Sequence, residues 1–173
     1  TIGGGLKMNA GCFKREFKDV LISIQAIDRT GKVITIPSNK IIFEYRKNDL
    51  PDDLIFLSAS FRGKKSDQNN IKKEMLKLKK IKDTAQPTKI KTSGSTFKNP
   101  INQTRKKVWE LIKETVPLDL QFGDAAISKK HCNFFINKNN ASFSDMNKLI
   151  EFVRESVEKK TGIKLEKEIK ILK

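Results

Sequence analysis

The sequence predicts an α+β fold, because stretches with strand character and stretches with helix character alternate irregularly along the chain. The clearest feature is a β-hairpin. Residues 20–27 are rich in β-branched side chains, residues 28–31 form a turn, and residues 32–36 return as a second strand. A hairpin joins antiparallel strands, so the pattern disfavours a doubly wound parallel sheet.

The rest of the first half continues this mixture. Residues 37–39 are expected to end the hairpin in a short helical turn, and residues 54–61 form a third strand. After a polar stretch at 63–73, apolar residues recur at helical spacing between 71 and 81, which predicts a helix. Residues 84–93 are expected to form a loop. The change in character places a domain boundary between 63 and 87.

The second half alternates helices with strands. A helix is predicted over 104–115, where Pro117 stops it, and a strand is predicted over 131–137. Ser144 is expected to cap a further helix, which ends at Gly162.

The last stretch, residues 163–172, alternates as a strand and carries Glu166 and Glu168 on one face. Alternation alone does not choose between these two carboxylates as a site residue.

The chain carries a net charge of +16 at pH 7. Nucleic acid, or a ligand that bears phosphate, would suit this charge. Nucleic-acid surfaces usually combine basic residues with exposed stacking aromatics or arginines. Here lysine dominates, and most of the 11 Phe residues fall in apolar stretches. We therefore interpret the charge as a compositional bias that is compatible with a small anionic ligand.

Composition also limits the class of site. Cys12 and Cys132 are far apart and do not suggest a disulfide framework, which predicts a reducing, cytoplasmic location. His131 is the only histidine, so no Cys/His spacing predicts a metal site. No apolar run is long enough to cross a bilayer, and no signal peptide is visible.

Residues 94–100 hold the parts of a binding or proton-transfer site. Gly94 lets the backbone approach a ligand, and Ser95 offers a hydroxyl. Lys98 adds a positive charge, and Asn99 adds an amide that both donates and accepts. Taken alone, the composition of the stretch favours an ordinary surface turn, because turn residues are common everywhere.

Five stretches of the chain, in this order, resemble the UDP-N-acetylenolpyruvoylglucosamine reductase (UDP-N-acetylmuramate dehydrogenase) family. They are residues 1–4 with 8–11, 43–46, 94–100, 127–134 and 165–169. The resemblance implies a cytoplasmic enzyme of peptidoglycan precursor synthesis. It implies FAD as cofactor and NADPH as reductant, and a UDP-sugar whose enolpyruvyl group is reduced to UDP-N-acetylmuramate. It implies a monomer with neither a nucleic-acid nor a membrane partner.

The resemblance also implies a domain order. Residues 1–64 are expected to form the later part of a two-lobed FAD-binding domain, namely its second lobe. Residues 65–86 are expected to be a linker with a helix, and residues 87–173 a C-terminal α+β substrate-binding domain. The first FAD lobe is expected to be missing, in keeping with a chain that opens at Thr1 rather than Met. The isolated chain is therefore expected to be inactive.

By the same resemblance, three residues are catalytic. Ser95 matches the family's proton donor, Arg46 its arginine and Glu168 its glutamate. A hydride adds to the carbon β to a carboxylate and leaves an enolate-like species that needs charge stabilisation and a proton. Arginine suits the carboxylate because its planar fork stays charged. Without the resemblance, Arg46 would be interpreted as a solvated charge.

Ligand-binding residues follow in two sets. The expected cofactor-binding residues are Thr1, Ile2, Gly3, Gly4, Asn9 and Gly11. The expected substrate-binding residues are Tyr45, Lys98, Asn99, His131 and Asn133. His131 and Asn133 could equally make structural hydrogen bonds.

The sequence departs from the family pattern in three places. Residues 12–14 stand where Ala-Tyr-Gly is usual, Asn48 where a serine is frequent, and residues 116–122 where a glycine-containing loop is usual. A lysine-rich nucleic-acid-binding module and a paralogue that has lost activity are the competing hypotheses.

Overall fold

The chain folds into two units, each built around its own cluster of buried apolar residues. The structure is a computed structural model and describes residues 1–172. The first unit is Thr1–Asp67, and the second begins at Gln68. Each unit is mixed helix and strand, which confirms the α+β fold class. Within residues 1–172, none of the helices combines the length and the apolar character that a membrane span requires.

The first unit consists of one short helix and seven strands. They are α1 (Ile2–Lys7), β1 (Gly11–Cys12), β2 (Arg15–Glu16), β3 (Leu21–Ile27), β4 (Val33–Pro37), β5 (Phe43–Glu44), β6 (Lys47–Asn48) and β7 (Ile55–Phe61). Short 3-10 helices at Phe17–Asp19 and Ser38–Lys40 connect them. An antiparallel sheet in the order β4-β3-β7 is the largest element, and two small hairpins, β1-β2 and β5-β6, lie outside it.

The predicted hairpin is confirmed as β3 paired with β4, and the third predicted strand is β7. The core of this unit consists of Leu6, Leu21, Ile24, Ala26 and Ile41. Helix α1 was not expected, because glycine disfavours helix. It forms because the Thr1 side chain caps it by accepting from the Gly4 N–H at 3.1 Å, and because Leu6 enters the core.

The second unit contains three helices and four strands. They are α2 (Gln68–Ala85), β8 (Lys91–Ser95), α3 (Val108–Thr115), β9 (Gln121–Phe122), β10 (Ala125–Ile127), β11 (Phe134–Asn137) and α4 (Phe143–Thr161). The strands form one antiparallel sheet in the order β8-β11-β10-β9. Helices α3 and α4 pack on one face of this sheet, where Ala125, Ile127 and Phe135 share a core with both helices.

Three predicted elements of this unit are wrong in part. The expected loop at 84–93 is wrong at both ends, because α2 continues to Ala85 and β8 starts at Lys91. The helix predicted from 104 begins at Val108, because the Glu110 carboxylate accepts from the Lys107 N–H at 2.6 Å and fixes the start there. The strand predicted from 131 begins at Phe134.

The structure also tests the predicted ends of α4 and the predicted strand over the last stretch. The cap is Ser142 rather than Ser144, since Ser142 and Asp145 exchange two hydrogen bonds of 2.9 and 3.1 Å. Gly162 ends the helix with φ 73°, as predicted. The strand predicted over 163–172 is wrong: within these residues the only β-type pairing is one bridge between Lys167 and Phe97.

Candidate active site

Ser95 reaches its place through a β-bulge at Gly94. On β11, Phe134 and Ile136 are two residues apart, but their partners on β8, Ser95 and Thr92, are three apart. Strand β8 therefore has one extra residue in this interval, which includes Gly94. The φ of Gly94 is +89°, an angle that glycine adopts readily. Residues that face each other in a ladder share a side of the sheet, so the bulge moves Ser95 onto the side of Phe134, away from α3 and α4.

Gly94 is therefore needed for its backbone angle. A Cβ built on Gly94 would have no atom of the described residues within 4 Å. The close approach of a ligand to this backbone stays a prediction, and the open space beside Gly94 is compatible with it. The half-buried Ser95 ends β8, so the stretch 94–100 begins as a strand instead of a surface turn.

The peptide groups of Thr96 join Ser95's segment to that of Glu168. The Thr96 N–H donates to the Asn133 carbonyl at 2.8 Å, and the Thr96 carbonyl accepts from the Glu168 N–H at 2.8 Å. Two residues on, the Lys98 N–H donates to the Glu166 carbonyl at 2.8 Å. Thr96 follows Ser95 in the chain and is hydrogen-bonded to Glu168. The structure therefore brings together two of the three expected catalytic residues, Ser95 and Glu168.

Asn133 lies on the other side of the same segment. It is 6% exposed, and both ends of its side-chain amide bond to one residue. Its Oδ1 accepts from the Phe97 N–H at 3.1 Å, and its Nδ2 donates to the Phe97 carbonyl at 2.9 Å. The amide thus acts as a further rung of the ladder after β8 ends. The structure gives Asn133 a structural bond where the sequence predicted a substrate contact, which stays a prediction.

Lys98 and Glu166 form an ion pair at the edge of this region. The Lys98 ammonium contacts the Glu166 carboxylate, with 19% of the lysine side chain and 72% of the glutamate side chain exposed. A ligand phosphate or carboxylate would have to compete with Glu166 for this cation. The pair also separates the two glutamates that alternation could not rank: Glu166 is exposed, whereas Glu168 is half-buried.

Asn99, another expected substrate contact, helps to start α3. Its Oδ1 accepts from the Val108 N–H at 3.0 Å, one of the four amide groups that a helix leaves unsatisfied at its start. This bond connects the serine segment to the helix that follows it.

His131 lies in the turn between β10 and β11. Its Nδ1 accepts from the Asn133 N–H at 3.3 Å, and its ring meets Phe134 edge-on at 4.9 Å between centroids. Burial lowers the pKa of His131 below its ordinary value of 6.5, because desolvation penalises the imidazolium. A neutral ring also suits the bond, since Nδ1 must be unprotonated to accept it.

The segment that carries Glu168 is tied to α4 by charge. Lys167 Nζ lies 2.9 Å from Glu151 Oε1, and Arg154 lies 2.7 Å from the other oxygen of the same carboxylate. The hydrogen bond from Lys167 lowers the pKa of Glu151. This pairing and the Thr96 bond hold residues 165–168 without a regular strand.

In the first unit, the two small hairpins hold three of the other expected site residues. Arg46, with φ 60°, lies in the β5-β6 turn, donates to the Gly11 carbonyl at 3.5 Å and lies over the Tyr45 ring at 5.0 Å. A Cβ on Gly11 would come within 2.8 Å of the Arg15 carbonyl, so the hairpin requires glycine. The structure thus brings Arg46, Tyr45 and Gly11 together in one unit.

Asn9 is buried beneath these hairpins. Its Nδ2 donates to Glu16 Oε2 at 3.1 Å and to the Glu44 carbonyl at 3.2 Å, and its Oδ1 accepts from the Lys18 N–H at 3.2 Å. These bonds connect the β1-β2 and β5-β6 hairpins and engage both ends of the amide. The remaining expected cofactor residues, Thr1 to Gly4, form the capped start of α1, where Ile2 is 59% exposed.

A cavity of about 810 Å³ lies on the Ser95 side of the second unit's sheet. Ala126 and Ile136 form part of its floor, since they pair with each other and with Thr92. Its lining includes four lysines: Lys89, Lys129, Lys130 and Lys138. These four lysines are scattered along the sequence and form a cluster only because the folded sheet brings them to one opening. None of the predicted site residues lines this cavity.

Two further properties limit the chemistry. Among residues 1–172, no group of three or more His, Cys, Asp and Glu side chains could hold a metal ion. Cys12 is exposed, and Cys132 is buried with its thiol donating to the Trp109 carbonyl at 3.0 Å. Burial raises the pKa of the Cys132 thiol, which makes it a poor nucleophile.

Comparisons with known proteins identify the family of the chain. Residues 86–172 match the family model of the C-terminal domain of UDP-N-acetylenolpyruvoylglucosamine reductase. A curated relative of that name from Pelagibacter ubique (strain HTCC1062) is 76% identical over all of this chain and 57% of its own length. Another from Rickettsia massiliae (strain Mtu5) is 44% identical over 98% of this chain and 57% of its own length.

A solved structure extends the likeness to the fold. The crystal structure of the reductase from Thermus caldophilus superposes with a TM-score of 0.84 at 30% identity, over 99% of this chain and 60% of that one. The second unit, an antiparallel sheet backed by two helices, is an α+β domain that this family model matches over residues 86–172. The chain belongs to the UDP-N-acetylenolpyruvoylglucosamine reductase family, which confirms the resemblance. It spans 57% of the length of these curated relatives.

Proposed function

We propose that this chain contributes to a flavin-dependent oxidoreductase of peptidoglycan precursor synthesis. The reaction is reduction of the enolpyruvyl group of UDP-N-acetylenolpyruvoylglucosamine, with NADPH as reductant, to UDP-N-acetylmuramate. One observation carries the proposal beyond family membership: the Gly94 bulge places the half-buried Ser95 on the face of the sheet opposite α3 and α4, and the Thr96 carbonyl accepts a hydrogen bond from the backbone of Glu168 beside it.

The residues of the first unit are compatible with FAD. The expected cofactor residues begin with the short glycine-containing helix α1, where the Gly4 backbone is exposed, and Ile2 offers exposed apolar surface. FAD, when bound, supplies the redox chemistry that amino-acid side chains lack. Thr1, Ile2, Gly3, Gly4 and Gly11 keep their proposed role as backbone contacts. Asn9 supports them by joining the two hairpins, since its amide is engaged within the chain.

Ser95 is proposed to give a proton to the substrate's α carbon. A serine hydroxyl is a weak acid, so it serves only where the surroundings stabilise the charge that develops. Glu168 is proposed to shape that charge, by hydrogen bonding or as an acid. Arg46 is proposed to pair with the substrate carboxylate through its planar guanidinium, and Tyr45 to contact substrate beside it.

The charge around the second unit's cavity supports a phosphate-bearing ligand. The four lysines 89, 129, 130 and 138 outnumber the two carboxylates, Asp83 and Asp119, in the lining of an opening whose floor includes residues on the Ser95 face of the sheet. A diphosphate is doubly charged, and clustered lysines attract it without demanding one fixed geometry. Lys98, Asn99 and His131 remain proposed substrate contacts.

The test uses the protein expressed from its complete gene. We expect a yellow protein that oxidises NADPH only when the enolpyruvyl substrate is added. A colourless complete protein, or NADPH oxidation that ignores the substrate, would contradict the proposal. The isolated 173-residue chain is expected to be inactive in the same assay.

The net charge of +16 supports one second candidate, a nucleic-acid-binding module. Helix α2 presents six lysines among largely exposed residues: Lys72, Lys73, Lys77, Lys79, Lys80 and Lys82. Binding of this kind falls steeply with salt. Failure to retard DNA or RNA in a gel at low salt would eliminate it.

A further inference from the structure

We propose that Asn133 is a positioning residue for Ser95 and Glu168. The proposal rests on the function proposed above for Ser95. It assigns to Asn133 an action through the backbone of residues 96–98, not through contact with substrate. The side chain of one asparagine would thus set the distance between the proton donor and the glutamate.

The geometry shows how the amide takes over from a strand. The β8-β11 ladder has its last pair at Ser95 and Phe134, and the chain before Phe134 turns away. Beyond that pair, the Asn133 side chain exchanges two hydrogen bonds with Phe97, as a strand backbone would. The pairing therefore continues for two more residues without a second strand.

The segment between these contacts depends on both of its edges. On one edge, Asn133 holds the Thr96 N–H and the Phe97 peptide groups. On the other, the Glu168 N–H and the Glu166 carbonyl hold Thr96 and Lys98. If the bonds to Asn133 are lost and the segment shifts, Thr96 moves, and Thr96 is the residue to which Glu168 is hydrogen-bonded.

Other side chains of the segment offer little help. The Thr96 hydroxyl is buried and has no hydrogen-bond partner among the described residues. The Phe97 ring is held only by apolar packing, meeting Phe135 edge-on at 5.9 Å. The Lys98 side chain adds an ion pair with the exposed Glu166 on the other edge. Apolar packing is not directional, so on the Asn133 edge the register of the segment is set by Asn133 and by the backbone bonds.

The test compares variants of the FAD-loaded protein expressed from its complete gene. Asn133→Ala removes both bonds, and Asn133→Asp keeps the acceptor for the Phe97 N–H but loses the donor while the carboxyl is ionised. Asn137→Ala is the matched control, because Asn137 lies at the far end of β11, the strand that follows Asn133, and its Oδ1 accepts from the Ala141 N–H at 2.9 Å.

Two rates are measured by rapid mixing: reduction of the flavin by NADPH, and its reoxidation by the enolpyruvyl substrate. We expect Asn133→Ala to slow reoxidation by about 10²-fold, the cost of a small misplacement of a reacting group, with flavin reduction unchanged. Asn137→Ala should leave both rates unchanged. Asn133→Asp should recover as the pH falls, because a protonated carboxyl regains the donor.

A double variant separates positioning from loss of structure. Since Asn133 would act through Ser95, Ser95→Ala with Asn133→Ala should be no slower than Ser95→Ala alone. Backbone amide exchange at Phe97 and Glu168 should rise in Asn133→Ala and not in Asn137→Ala.

The outcomes distinguish this proposal from the proposed function. Additive losses in the double variant, or an Asn133→Ala rate equal to that of Asn137→Ala, would overturn the positioning role alone. Normal reoxidation in Ser95→Ala would overturn the function of Ser95 and the positioning proposal together.

Discussion

The backbone N–H of Glu168 donates a 2.8 Å hydrogen bond to the carbonyl of Thr96, the residue that follows Ser95. Seventy-odd residues of sequence separate the two segments, so this bond is tertiary and depends on the whole second unit being folded. It explains how a glutamate on an irregular segment comes to lie beside a serine at the end of a strand.

The two glutamates of that segment provide a matched pair. Glu168→Gln is expected to slow flavin reoxidation by the enolpyruvyl substrate, because the proposed site loses a charge. Glu166→Gln removes the ion-pair partner of Lys98, so a substrate anion no longer competes with Glu166 for this proposed contact, and reoxidation should not be slowed. Rapid-mixing rates for both variants check this. Equal effects of the two changes would contradict the assignment of Glu168.

The bulge at Gly94 predicts a change that separates function from stability. Gly94→Ala and Gly162→Ala both place a Cβ at positive φ, 89° and 73°, with no atom within 4 Å. Each should lower the free energy of unfolding by about 1–2 kcal/mol, measured by urea titration. Only Gly94→Ala should also slow reoxidation, because only Gly94 sets the side of the sheet on which Ser95 lies. Equally slow reoxidation in Gly162→Ala would show that backbone strain at any position has this effect, and would contradict a specific role of Gly94.

Asn99 should matter for stability whatever it does for the substrate. Asn99→Ala leaves the Val108 N–H without its acceptor and should cost about 1 kcal/mol of unfolding free energy. Asn99→Asp keeps an acceptor and places a negative charge near a helix start, so its stability should match or exceed that of the parent. Urea titrations of the three proteins measure the difference. Equal stability of Asn99→Ala and the parent would remove the role in α3.

His131 predicts a dependence of stability on acid. Its pKa is lowered in the folded state, so the unfolded chain binds more protons at mildly acidic pH and stability falls as the pH is lowered. The contribution is complete above the unfolded value of 6.5 and is lost as the pH falls through the lower, folded value. His131→Gln should flatten this slope, since the chain has one histidine. An unchanged slope in the variant would assign the effect to the carboxylates.

The sequence predicted those elements whose local pattern is strong. The β3-β4 hairpin follows from β-branched residues around a turn, and α2 follows from apolar residues at helical spacing. Strand β8 was missed because Thr92 to Ser95 carries no apolar alternation; it forms by pairing with β11. The final stretch has the alternation of a strand but makes a single bridge, between Lys167 and Phe97. Its partner segment, 95–98, ends there, because the chain from Asn99 onward leads to the start of α3.

The candidate site was likewise predicted only in part from the sequence. Ser95, Arg46 and Glu168 were named through resemblance, which transfers residue identity but not geometry. The side of the sheet on which Ser95 lies depends on the register of β8 against β11, and the double bond of Asn133 to Phe97 joins residues 36 apart. Neither feature has a local signal, because both are consequences of tertiary pairing.

The central claim, that Ser95 is the proton source for the substrate, is tested most directly by Ser95→Ala in the FAD-loaded protein expressed from its complete gene. NADPH should reduce the flavin of this variant at the parent rate, while reoxidation by the enolpyruvyl substrate should fall by several orders of magnitude. Reoxidation at the parent rate would contradict the claim.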